Sequence, residues 1–175
     1  VNRDKNKAII AWYEEFNESI FKFIFMMVQD YQLAEDLRHE TFIKAFVHYD
    51  SFREESSPKT WLYSIAHNVT VDCLRKRKPI ILLKNTFQLH KDPSKLPHEH
   101  LELKEDLNEL YHVLSALKES HRKVIILRKI KEFSIEETAL ILGWSESKVK
   151  STLYRAIQRL EKDMLKEGYF NEKTV

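Results

Sequence analysis

From Ile9 to Val28 apolar side chains recur at helical spacing, at Trp12, Phe16, Ile20, Phe23, Ile24 and Met27. This stripe constrains the fold most, because residues three and four apart share one face of a helix and must be covered by something. Leu33 to Tyr49 repeats the pattern with Leu37, Phe42, Ala45 and Phe46. Only 2 Gly and 4 Pro stand in 175 residues, which leaves few hairpin turns, and no stretch alternates as a half-buried strand does. The sequence predicts an all-α chain.

The regularity breaks twice. Asp50 to Pro58 is polar, carries Ser51, Ser56 and Ser57, and reads as a loop. A third helix is predicted from about Lys59 to Arg77, with Pro79 ending it and Trp61, Leu62, Ile65, Val69 and Leu74 on its buried side. Residues 79–105 lose periodicity around Pro79, Pro93 and Pro97 and read as a flexible linker, with Ile80 to Leu83 apolar enough to dock on something. From Asp106 a second helical block begins, striped by Leu107, Leu110, Val113, Leu114 and Leu117, then by Val124, Ile125 and Leu127. Two small helical domains follow, residues 1–78 and 106–175.

Charge is segregated along this frame. Residues 1–56 hold 7 Lys/Arg against 11 Asp/Glu, residues 57–78 hold 5 against 1, residues 79–111 hold 4 against 6, and residues 112–175 hold 13 against 9. Two basic stretches separated by acidic ones fit two surfaces that each face phosphate. No run approaches the roughly 18 apolar residues of a membrane span, and the polar opening stretch is unlike a signal peptide, so a cytoplasmic location is expected. Cys73, the single cysteine, excludes an internal disulfide and reads as a packing residue.

The clearest local signal runs from Phe133 to Lys162. Ser134 and Glu137 are spaced as a capping box, Gly143 supplies a left-handed turn residue, and Ser145 can cap a longer basic helix, which together make a helix-turn-helix. Val149, Leu153, Ile157 and Leu160 are assigned to its inner seam, leaving Ser147, Lys148, Lys150, Ser151, Tyr154 and Arg155 toward the outer face. Cations and hydroxyls there suit phosphates and base edges; an ordinary helical hairpin with a solvated face is the plainer reading. In the third helix, aromatic residues precede the run Arg75-Lys76-Arg77-Lys78, a combination suited to an unpaired strand, although that run also complements a helix dipole and Trp61 is assigned to the core. The acidic helix around Glu35, Asp36, Glu40 and Phe42 fits either a protein partner or plain solvation. His98-Glu99-His100 lacks further ligands, so no metal or other cofactor is expected, and no catalytic motif is present.

Taken together, Ala34-Glu35-Asp36, Glu40-Thr41-Phe42, Ser51-Phe52, Thr60 to Asn68, Asp72 and Arg75 to Lys78 resemble the second conserved region of extracytoplasmic-function sigma factors. The helix-turn-helix resembles their fourth region. Phe133 to Ala139 with Ser145 to Lys150 looks most like the Bacillus-type cell-envelope subgroup. The resemblance implies a non-enzymatic subunit that binds core RNA polymerase and promoter DNA and promotes promoter melting. It implies that Glu35, Asp36, Glu40 and Phe42 dock on the polymerase, and that His48, Phe52, Ile65 and Asn68 hold a flipped base of the −10 element, with Arg75 and Lys76 on its backbone. It further implies that Arg128, Ser147, Lys148, Lys150, Ser151, Tyr154 and Arg155 contact the −35 duplex. An anti-sigma factor, often membrane-anchored, is an implied partner, and no small-molecule substrate is expected. His39 and Ser64 depart from the family's usual Gln and basic residue, which puts the docking contact and a −10 phosphate contact in question. The alternative to this resemblance is a stand-alone helix-turn-helix repressor or activator.

Overall fold

The computed structural model describes residues 2–53, 55–85 and 114–166. The chain divides into two compact units, Val1–Glu102 and Leu103–Val175, and among the described residues every regular element is a helix.

The first unit holds α1 (Asn2–Val28), α2 (Tyr31–Val47), a single 3-10 turn at Tyr49–Ser51 and α3 (Pro58–Asn85). The stripes of α1 and α2 look like one register in the sequence, but the chain reverses between them. Gln29 takes a left-handed conformation (φ 54°), and Asp30 then caps α2 by accepting from the Leu33 N–H at 3.0 Å. The three helices pack against one another pairwise. Ile20, Phe23 and Ile24 of α1, Ala34 and Ala45 of α2, and Leu62, Tyr63 and Ala66 of α3 are wholly buried. Each large apolar side chain there contributes about 1.5–3 kcal/mol. The buried Thr41 and Thr70 hydroxyls donate to the carbonyls one turn back, Leu37 and Ala66, both at 2.7 Å. The Tyr63 hydroxyl bonds Ser19 Oγ at 2.6 Å and the Ser19 carbonyl at 3.2 Å.

Two expectations change here. Pro58 belongs to α3 rather than to the loop: it occupies the first helical position, where its missing N–H is no loss, and Ser57 Oγ accepts from the Thr60 N–H at 3.1 Å. Pro79 does not end α3, which continues to Asn85. A proline forfeits one backbone bond and strains the turn before it, yet the helix-forming Leu82, Leu83 and Lys84 on its far side carry the helix on. Phe42 lies on the covered face, as its place in the α2 stripe implies: it is 6% exposed and meets Tyr13 edge-on at 4.9 Å, because burying an aromatic ring outweighs presenting it on a polar face.

The second unit holds α4 (Glu119–Ile125) running into a π-helical turn (Ile126–Ile130), then α5 (Ile135–Leu142) and α6 (Glu146–Lys166). Arg122 gathers the carbonyls of Leu114, Ser115 and Leu117 at 3.1–3.4 Å and so closes the preceding turn. The π turn shows in the bond from the Lys131 N–H to the Ile126 carbonyl at 2.9 Å, followed by Glu132 at φ 58°. The capping box forms as the sequence predicts, with the Glu137 N–H on Ser134 Oγ (3.0 Å) and the Ser134 N–H on Glu137 Oε2 (2.8 Å). Gly143 is left-handed at φ 63°, and the Trp144 N–H closes back on the Ala139 carbonyl at 2.9 Å. The Lys148 N–H donates to Ser145 Oγ at 3.3 Å, the predicted cap of α6. The buried seam of α6 differs from the prediction. Val149, Thr152 and Ala156 are buried, whereas Leu153, Ile157 and Leu160 are half-buried. Small side chains let α6 approach α4 and α5 closely, so those positions face inward and the larger residues flank them.

The linker beyond Asn85, His98-Glu99-His100, and the stripe residues Leu107, Leu110 and Val113 lie outside the described residues.

Candidate nucleic-acid interface

The turn between α2 and α3 borders a cavity of about 820 Å³, widely open to solvent and lined by Val47, His48, Asp50, Ser51, Phe52, Arg53, Glu55, Ser56 and Trp61. Its apolar wall is part of an aromatic cluster. Trp12 of α1 lies 5.6 Å from Tyr49, 5.4 Å from Phe52 and 5.9 Å from Trp61, and Phe52 lies 5.1 Å from Trp61. Offset and edge-on rings at these distances hold one another rigidly. The polar rim combines donors on Arg53, Ser51 and Ser56 with carboxylates on Asp50 and Glu55. A flat ring with polar edges, such as a nucleobase, suits such a lining: it can lie with one face on the open side of the touching Phe52 and Trp61 pair and turn its edges toward the polar residues.

Of the four residues assigned to a base pocket from the sequence, His48 and Phe52 line the cavity. Ile65 and Asn68 are not among its lining residues; they follow Trp61 along α3, half-buried and exposed respectively. Trp61, assigned to the core, is half-buried and walls the cavity. Arg53 and Ser56 were missed, because a cation and hydroxyls between Phe52 and Trp61 form no local motif. Further along α3, Arg75 is exposed and pairs with Asp72 at 3.1 Å, Lys76 is exposed, and Arg77 approaches Asp30 at 4.0 Å.

On α2, Asp36 and Glu40 are exposed and Glu35 is half-buried. Glu35 pairs with Arg38 at 2.9 Å and Glu40 with Lys44 at 3.2 Å. The apolar atoms this helix offers come from Ile43 (63% exposed), Phe46 and Val47 (60%) rather than from Phe42.

In the second unit α6 carries the predicted outer face. Ser147, Lys148, Lys150, Tyr154 and Arg155 are exposed and Ser151 is half-buried. Lys148 Nζ sits 4.1 Å from the centre of the Trp144 ring, Lys150 pairs with Glu146 at 3.2 Å, and the Tyr154 hydroxyl accepts from Gln158. Arg128 differs from this group: it is half-buried, and its Nη1 donates to the Phe133 carbonyl, bracing the turn before α5. His121 of α4 titrates below the ordinary histidine range, chiefly through burial and then through the cations Lys118 and Arg155. The two units thus offer different chemistry, an aromatic cavity with a basic helix beyond it, and an exposed basic helix set on a turn.

Family models match the chain in two places, "Sigma-70 region 2" over residues 12–80 and "Sigma-70, region 4" over residues 107–160. The chain is 40% identical over 157 residues to the ECF RNA polymerase sigma factor SigX of Bacillus subtilis, covering 87% of this chain and 81% of that one. It is 36% identical over 156 residues to the RNA polymerase sigma factor YlaC of the same organism, covering 88% and 90%. Among solved structures it is similar to the sigma factor RpoE in complex with the anti-sigma factor NepR from Bartonella quintana, with TM-score 0.72, 26% identity, and 89% and 96% of the two chains covered.

Proposed function

The chain belongs to the extracytoplasmic-function sigma factors and serves transcription initiation as an alternative sigma factor; from that premise we propose how its surfaces divide the work. The first unit, with residues 1–78 as its working part, holds the −10 element as a partly unpaired strand. One base enters the cavity walled by Phe52 and Trp61 beside His48, and Asn68, Arg75 and Lys76 along α3 follow the strand. Residues 106–175 read the −35 element as duplex, with α6 in the major groove and Ser147, Lys148, Lys150, Ser151, Tyr154 and Arg155 toward it. Residues 79–105 join the two. Glu35, Asp36 and Glu40 dock α2 on core polymerase, with Ile43 and Val47 supplying the apolar contact in place of buried Phe42.

The observation that carries this reading is the cavity. Unstacking a base costs a few kcal/mol, and an aromatic pocket on a sequence-reading protein offsets that cost only for melted DNA. The protein makes no bond; it binds open promoter DNA more tightly than closed duplex. No described helix is long and apolar enough to cross a membrane, and a cytoplasmic location follows from work on polymerase. A stand-alone repressor or activator leaves residues 12–80 and their cavity unexplained. RpoE is found in complex with the anti-sigma factor NepR; by that likeness we place this chain under control of an anti-sigma factor that competes for its polymerase-docking surfaces.

Run-off transcription with purified core polymerase and a panel of promoter fragments tests the assignment. Transcripts should depend on the added chain, and permanganate should detect opening around −10. Core polymerase that initiates equally well without the chain refutes it.

A further inference from the structure

Lys5, in the second turn of α1, is held unusually for a lysine. Its side chain is only 15% exposed, its ammonium lies 4.8 Å from the centre of the Phe46 ring on α2, and it reaches Asp50 Oδ2 at 3.4 Å. Asp50 lies in the turn after α2, lines the cavity, and has its side chain 76% exposed. A pair so open to water on one side adds little to stability. Its location matters more, because a bare carboxylate at the mouth of a cavity repels the phosphates on either side of any nucleotide that enters.

We propose that Lys5 is a positioning residue for the −10 strand: laid along Phe46, it neutralises Asp50 and leaves that carboxylate free to accept a hydrogen bond from a base edge without repelling the backbone. This rests on the reading of the cavity as the −10 site. The stem packs on an aromatic ring while the head stays at the surface, which fixes the ammonium beside Asp50. Nothing near Lys5 in the sequence marks this role, since its partners lie about forty residues on.

The test uses holoenzyme assembled from core polymerase and the full chain. Its probe is a single-stranded −10 oligonucleotide selected from a random pool by the wild-type holoenzyme. Lys5→Met keeps the stem and removes the charge, and it should weaken binding about three- to fivefold at low salt, as loss of an exposed pair allows, with the deficit shrinking as salt is raised. Lys5→Arg should retain most of the affinity. Adding Asp50→Asn to Lys5→Met should restore binding to within about twofold of wild type, and the gain from Asp50→Asn should be clearly larger in that background than in the wild-type one. The proposal is overturned if Lys5→Met binds as tightly as wild type, if the double variant stays as weak as Lys5→Met, or if Asp50→Asn gains equally in both backgrounds. A wild-type holoenzyme that selects no sequence from the pool would instead remove the −10 reading of the cavity, and this inference with it.

Discussion

The two units contrast in how they present themselves to DNA. The first builds a concave site from three elements, with Trp12 of α1 behind it, Phe52 on the turn after α2 and Trp61 on α3. The second offers a convex one, the exposed side of α6, fixed by a capping box, a left-handed glycine and a serine cap within a dozen residues. A concave aromatic site adds stacking and desolvation to its phosphate contacts. A convex cationic helix gains from displacing counterions, which salt weakens steeply. On the proposed division of work, melting and duplex recognition draw on opposite geometries, held in separate units.

Variants that move one unit and spare the other sharpen the comparison. The largest effect is expected at high pH. Burial, opposed in part by the Ser19 hydrogen bond, pushes the Tyr63 hydroxyl up to about 12 from its ordinary 10.0. A folded-state value raised above the unfolded one favours the neutral form. Tyr63 therefore contributes about 3 kcal/mol that is fully present below pH 10 and disappears as pH rises through about 12. Alkaline melting followed by circular dichroism should show the first unit failing in that window, and Tyr63→Phe should flatten the dependence. His121 works in the opposite direction in the second unit. Its lowered value makes a contribution that is present above 6.5 and lost as pH falls.

Next in size, Phe52→Ala should impair promoter opening by about 1–3 kcal/mol, the worth of one base stacked on an aromatic ring. Polymerase binding and −35 protection should change little. Opening kinetics equal to wild type would break the division between the units.

Arg155→Ala and Lys150→Ala should weaken −35 duplex binding, each lowering the salt slope by about 0.9 if it meets a phosphate. Lys150 has to exchange Glu146 for DNA, so it is expected to be the weaker of the two. An unchanged slope in electrophoretic titrations would remove both from the interface.

The smallest effect is expected at the capping box. Ser134→Ala should cost about 1 kcal/mol, read as a lower melting point of the second unit with the first unit unmoved.

The helix-turn-helix was almost wholly legible in the sequence, because Ser134, Glu137, Gly143 and Ser145 act through bonds that span three to five residues. The first unit was legible as helices but only partly as a site. His48 and Phe52, expected at a base pocket, line the cavity; Arg53 and Ser56 line it with no local motif to mark them, and Trp61, expected inside, walls it. Trp61 shows the reason: the side it turns to the cavity is set by its contact with Trp12, far back in the chain, which local pattern does not register.

Short-range sequence is enough to set the helices, most of their caps, the turn before α6 and the segregation of charge. These follow from periodicity and hydrogen bonds between near neighbours, and no distant residue is needed to fix them. Packing between distant helices set the cavity, the small-residue seam of α6 and the placing of Lys5 beside Asp50. Each depends on which faces meet when helices far apart in the chain exclude water from the same core.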